Sequence, residues 1–186
     1  TTAIYRFPAM DMCRFTELIE HAANQGVRVV NLSMGSKESK DWECFYKTAL
    51  ANSEILFVVS AGNDGVSIDN EPIYPASFDL SNMIVVTSSD SFGRLAASSN
   101  YGVKNVDLMV PAERVDVIDH RGIHNTTGGS SFAAPRVAAL AARFLRYRKN
   151  SSVHNIINFL KSRSKRLPES VVKYGWIPDP TDDYGF

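Results

Sequence analysis

The chain has 186 residues, of which 44% are hydrophobic and 10% aromatic, enough for one domain with a sizeable buried core. Twenty basic residues balance twenty acidic ones, so composition gives no reason to expect a nucleic-acid partner or an anionic membrane surface. The apolar run at residues 55–59 has the length of a strand, and no apolar run reaches the roughly 18 to 20 residues of a membrane span.

The chain opens Thr1-Thr2-Ala3, with neither an initiator Met nor a basic-then-apolar leader, and is therefore expected to be a processed or excised piece. Phe15, Leu18, Ile19, Ala22 and Ala23 fall on one helical face, and Gly26 stands where that helix would stop. Residues 27–34 read as a strand. Trp42, Phe45, Tyr46, Ala49 and Leu50 outline a second helix. The continuous apolar run 55–59 is the pattern of a strand buried on both faces. Residues 83–87 and 106–110 read as further strands. Alternation of strands and helices at these lengths predicts an α/β fold, a parallel sheet with helices on both faces.

Residues 115–118 and 123–126 flank His120-Arg121-Gly122 and read as a hairpin leading into Gly128-Gly129. The alanine-rich segment 132–147 follows, and small residues at that density let a helix pack closely, so it is placed centrally. The basic cluster Arg143, Arg146, Arg148 and Lys149, with Lys161, Arg163, Lys165 and Arg166 further on, reads as a solvated helix face. Ser151 or Ser152 is expected to cap a last helix whose inward residues are Val153, Ile156, Ile157 and Leu160. The tail from Pro168 is rich in Pro, Gly and Asp and is expected to be extended or loop. There is no internal repeat, so residues 1–186 are read as a single domain. Cys13 and Cys44 lack metal-ligand spacing; they could pair, but two thiols do not fix a compartment.

Three segments carry chemistry. Gly129-Ser130-Ser131-Phe132-Ala133-Ala134-Pro135 puts a serine at a glycine-led helix start, where free backbone N–H groups can face a developing oxyanion. Taken alone, the same run also reads as an N-cap, and a phosphate loop is disfavoured because no Gly-Lys-Ser/Thr ending is present. The second segment, residues 55–65, is a buried strand ending in Ser60-Ala61-Gly62-Asn63-Asp64-Gly65. Ends of this kind are where open parallel sheets place ligands. The third, Val29-Val30-Asn31-Leu32-Ser33-Met34-Gly35, is again a strand running into a glycine.

In this order the three segments resemble the subtilisin-like serine proteases (subtilases). Gly129 to Pro135 matches the family's nucleophile motif Gly-Thr-Ser-Met-Ala-x-Pro, and Ser60-Ala61-Gly62-Asn63 matches the strand end bearing its oxyanion asparagine. Asn31 to Gly35 matches an Asn-x-Ser-x-Gly strand. Tyr74-Pro75-Ala76, Ser98 to Gly102 and Val106 to Pro111 match further stretches. The resemblance runs from about Phe15 to Leu145 and implies a subtilisin-like fold whose N-terminal strands and helices are absent here.

The resemblance implies Ser131 as nucleophile, because counting the motif from Ser130 loses its proline, and Asn63 as oxyanion donor. It places Ser33, Met34, Gly35, Ser60, Ala61, Gly62, Gly129 and Ser130 around the bound substrate, a peptide or protein. The family's aspartate and its His-Gly-Thr histidine have no counterpart among residues 1–186, and of His21, His120, His124 and His154 none stands in such a motif.

The N-terminal part of the same protease is therefore an expected partner. A serine hydroxyl is a poor nucleophile until a base takes its proton. In subtilisin itself, only about 10³ to 10⁴-fold over water survives loss of the triad, so this chain alone is expected to be nearly inactive. Arg136 stands where the family has histidine, and Pro111-Ala112 replaces Pro-Gly. No cofactor is implied as required. Structural calcium occurs in the family, but no acidic cluster with loop spacing assigns a site here. Loss of the early strands would expose a sheet edge, so self-association is expected. The resemblance leans towards secretion.

Overall fold

The computed structural model describes residues 2–5 and 11–181. Asp11 accepts a hydrogen bond from the Arg14 N–H and starts α1 (Met12–Asn24), which buries Met12, Thr16, Ile19 and Ala22. The expected strand at 27–34 forms as the shorter β1 (Val29–Leu32), leaving Ser33, Met34 and Gly35 beyond its end. A 3₁₀ turn (Ser39–Trp42) then leads into α2 (Glu43–Ala51). Trp42, Phe45 and Ala49 are buried as expected, but Leu50 is 55% exposed. Successive helical residues are about 100° apart, so Leu50 turns away from the face that Phe45 and Ala49 share. Cys13 and Cys44 pair as a disulfide joining α1 to α2.

The strands β2 (Leu56–Ser60), β3 (Met83–Ser89) and β4 (Leu108–Pro111) follow, the first two buried at every position. A two-stranded ribbon, β5 (Val115–Ile118) and β6 (His124–Thr127), is the expected hairpin. It delivers the chain to α3 (Ser130–Tyr147), after which Ser152 caps α4 (Val153–Arg163) by accepting from the Asn155 N–H. The tail, expected to be extended or loop, contributes one short strand, β7 (Gly175–Trp176), and 182–186 lies outside the described residues. The main sheet has five parallel strands in the order β1-β2-β3-β4-β7.

Alternation along the central strands divides two cores. Phe57, Val59, Met83 and Val85 face α1 and α2, packing with Ile19, Trp42 and Phe45. Leu56, Val58, Ile84 and Val86 face α3 and α4, meeting Ala133, Ala134, Val137, Ala141 and Ile156. The alanines thus do what the sequence implies: they let α3 lie against β1 to β4. The basic face of α3 is not wholly solvated, because Arg143 donates to the carbonyls of Pro180 and Thr181 and ties down the tail. Among the described residues β1 has only one neighbour, β2, and no strand pairs with its other edge. No helix among the described residues is long and apolar enough to cross a membrane.

Candidate active site

The three motif segments meet where β1 and β2 end and α3 begins. Gly129 precedes the helix at φ +122°, and a Cβ there would lie 2.8 Å from Asn63 Oδ1. Glycine therefore both supplies the backbone conformation and lets the asparagine approach. Having no side chain, Gly129 cannot cap α3, and Asn63 does so from another element: its Oδ1 accepts the Ser130 N–H at 2.8 Å. This bond fixes the orientation of the Asn63 amide, since an N–H donor requires the oxygen. Nδ2 is left without a partner among the described residues.

Ser130 and Ser131 are separated by burial. Ser130 is fully enclosed, its Oγ accepting from the Gly62 N–H and donating to the Gly62 carbonyl, both at 3.1 Å. Ser131 is half-buried, and neither its hydroxyl nor its N–H has a partner among the described residues. An unpaired hydroxyl thus sits beside two unpaired N–H donors. That is the donor set a site needs to hold a carbonyl oxygen as charge develops on it.

Pro135 lies inside α3, and the bond it removes is replaced from another element. It is the sixth residue of α3 and removes the N–H that would have bonded the Ser131 carbonyl four residues back. Ser33 Oγ fills the gap, donating to the Ser131 carbonyl at 3.0 Å while accepting from Asn31 Nδ2 at 3.2 Å. The end of β1 is thereby pinned to the first turn of α3.

A residue not singled out from sequence holds the β2 end. Asn100 Nδ2 donates to the Ala61 carbonyl, and its Oδ1 accepts the N–H groups of Asp64 and Val66. Gly62, at φ +96°, gives it room, since a Cβ there would be 2.5 Å from Asn100 Nδ2. The signal lay in the Ser98 to Gly102 stretch, which the resemblance covers without giving Asn100 a role.

Ser33, Met34, Gly35, Ser60, Gly62, Asn63 and Ser131 all line one cleft of about 430 Å³. Ala61, Gly129 and Ser130, also expected around the substrate, are buried and do not line it. They instead carry the hydrogen bonds and close approaches that shape it. Gly35 sits where a Cβ would come within 2.8 Å of the Tyr74 carbonyl, beside the antiparallel bridge of Ser36 and Tyr74.

The cleft also takes in Lys37, Asp64 and Ile73, which the sequence did not single out as site residues. None of the four histidines lines it: His120 and His124 are exposed on the ribbon, and His21 and His154 lie in α1 and α4. Among the described residues no three His, Cys, Asp or Glu side chains group to hold a metal ion.

Comparison with known proteins bears on this arrangement. The model of the subtilase family matches residues 8–176, extending past the motifs into α4 and β7. A thermophilic serine proteinase of Bacillus sp. (strain AK1) is 36% identical over 135 residues, 68% of this chain and 30% of the relative. Subtilisin BL of Lederbergia lenta is 33% identical over 152 residues, 80% of this chain and 53% of the relative. The chain thus spans about a third to a half of the curated relatives it matches.

In three dimensions it resembles the epidermin leader peptide processing serine protease of Staphylococcus aureus, with a TM-score of 0.81 at 20% identity, over 95% of this chain and 55% of that one. A cold-adapted subtilisin-like serine proteinase gives a TM-score of 0.73 at 21% identity, over 90% and 61%. At that identity the likeness speaks for the fold, a subtilisin-like parallel sheet flanked by helices. Motif order, family match and architecture agree, and the chain belongs to the subtilase family.

Proposed function

We propose that this chain is the nucleophile-bearing part of a serine endopeptidase, with Ser131 as nucleophile and Asn63 as oxyanion donor. The observation that carries this is the unpaired Ser131 hydroxyl beside two unpaired donors, Asn63 Nδ2 and the Ser131 N–H. In the mechanism, Ser131 Oγ attacks the scissile carbonyl carbon and loses its proton to a histidine supplied from outside residues 1–186, itself oriented by an aspartate. The two donors hold the oxygen as it becomes an anion. Collapse of the tetrahedral species expels the amine, which takes the proton back from the histidine, and water then hydrolyses the acyl-enzyme by the same steps.

The substrate is an extended peptide lying along Ser33-Met34-Gly35 and Ser60-Ala61-Gly62, pairing through backbone groups as an added strand. The Cys13–Cys44 disulfide fits an oxidising, extracellular setting. No cofactor enters the chemistry.

The experiment is peptide hydrolysis by the longest natural form of the protein. Ser131→Ala is expected to abolish turnover, and Asn63→Ala to lower kcat by about 10² to 10³, the size of the effect in subtilisin. Undiminished hydrolysis by Ser131→Ala overturns the assignment.

A second reading keeps the Ser131 cleft as a peptide-binding site only. On that reading the chain is a pseudoprotease that binds peptide without cutting it. An encoded Asp-x-Gly strand and His-Gly-Thr helix upstream of Thr1 would end this alternative.

A further inference from the structure

Little holds the backbone of Asn63 itself. Among the described residues neither its N–H nor its carbonyl carries a hydrogen bond. Gly62 precedes it at φ +96°, and Gly65 follows two residues on at φ +69°. Glycine takes up many backbone conformations at little steric cost, so this turn is the part of the site most free to move. A donor carried on it would swing unless something outside the turn fixed it.

Asn100 supplies that restraint. It is fully enclosed, and its side chain bonds the turn on both sides of Asn63. Nδ2 donates to the Ala61 carbonyl at 2.9 Å, while Oδ1 accepts the Asp64 N–H at 2.9 Å and the Val66 N–H at 3.1 Å. The Asn100 backbone N–H donates to the Gly62 carbonyl at 3.1 Å. Residues 61, 62, 64 and 66 thus all hang on residue 100. That residue is in turn held from β3, where the Thr87 hydroxyl donates to the Asn100 carbonyl. The Asn63 amide is therefore aimed by two anchors, the turn beneath it and the Ser130 N–H on its Oδ1.

We propose that Asn100 is a positioning residue for the reaction, acting through Asn63 by holding Nδ2 where the oxyanion forms. It does not line the cleft. This rests on the reading of Asn63 as oxyanion donor. A donor fixed in advance costs no reorganisation as charge develops, and a small misplacement can cost about 10²-fold in rate. The effect of losing Asn100 is therefore expected to fall on kcat and to require Asn63.

The test is a double-mutant cycle on the longest natural form. Peptide hydrolysis is expressed per site titrated to completion with a fluorophosphonate, so that unfolded molecules do not count. Asn100→Ala is expected to lower kcat about tenfold to a hundredfold while KM changes less than about threefold. In the Asn63→Ala background the same substitution is expected to lower kcat less than about threefold, because the donor it positions is gone. Asn100→Asp keeps the shape and both accepting bonds and loses only the donor to Ala61. Its loss in kcat is expected to be smaller and again to need Asn63, and it carries the cycle if Asn100→Ala does not fold.

Asn82→Ala is the control. Asn82 Nδ2 also donates to three carbonyls, those of Ala49, Asn52 and Ile55, at the opposite end of β2. Its loss is expected to lower stability but to change kcat less than about twofold. The proposal is overturned if the Asn100 variants lose as much kcat without Asn63 as with it, if they lose none, or if Asn82→Ala slows hydrolysis as much. Failure of the underlying reading looks different. Asn63→Ala hydrolysing as fast as the unmutated form removes the donor and this proposal together, whereas a slow Asn63→Ala beside a normal Asn100→Ala removes this proposal alone.

Discussion

Pro135 and Ser33 explain each other. The proline strips the Ser131 carbonyl of its helical partner, and the Ser33 hydroxyl replaces it from the end of β1. Ser33→Ala leaves a partly buried carbonyl unpaired and is expected to cost about 1–2 kcal/mol of stability. Pro135→Ala returns an N–H to the helix, so the double variant is expected to lose less than the sum of the two singles. A double-mutant cycle from chemical denaturation checks this, and strict additivity would show that the two residues are not linked.

At this scale the sequence was informative but incomplete. The proline register pointed to Ser131 over Ser130, and the structure separates the two by burial. That Ser130 is locked to Gly62 could not be read, because either serine of a Gly-Ser-Ser run satisfies a capping pattern and the partner lies far away in the chain. Asp64 escaped notice for a similar reason: an acidic residue in an Asn-Asp-Gly turn reads as turn chemistry until the fold places it in the lining of the cleft.

Among the elements, the junction of β3, β4 and β7 holds a buried carboxyl. Asp107 Oδ2 accepts the Val85 N–H, and Lys173 Nζ lies 3.9 Å from its Oδ1. Burial dominates and pushes its pKa up to about 6 from an ordinary 3.8, against the opposing pull of the Val85 N–H, Lys173 and Lys161. The folded state therefore holds this proton more tightly than the unfolded chain does. The resulting stabilisation is complete below about pH 4 and is lost as pH rises through about 6.

A shift of this size corresponds to about 3 kcal/mol. Asp107→Asn keeps an acceptor for Val85 and has no charge to bury. Relative to the unmutated chain, the variant is expected to gain stability progressively between about pH 4 and pH 7. Denaturation curves across that range check it, and a difference independent of pH would contradict it. The strands themselves were legible because a run such as 55–59 is apolar at every position, as a doubly covered strand must be. The short β7 was not, since Gly175 and Trp176 form no apolar run and pair only because the tail returns beside β4.

For the whole molecule, the edge of β1 that no strand pairs with among the described residues matters most. Val29 and Val30 are only half-buried and Asn31 is exposed, although Leu32 in the same strand is enclosed. An unpaired parallel edge presents free N–H and C=O groups and is a template for another strand. Residues 1–186 expressed alone are expected to self-associate or to need the N-terminal part, as light scattering with and without that part would reveal. A stable monomer at all concentrations would contradict this. Motif order made the architecture legible. The sequence could not supply the side-chain contacts that turn three strand and helix ends into one cleft, because each joins residues distant along the chain.

The central claim is that Ser131 is the nucleophile, activated by groups outside this chain and facing the Asn63 donor. A fluorophosphonate probe applied to the longest natural form, followed by peptide mapping, tests it most directly. Covalent label is expected on Ser131, none on the enclosed Ser130, and slower labelling in Asn63→Ala. An unlabelled Ser131 in a form whose circular dichroism shows the fold intact would contradict it.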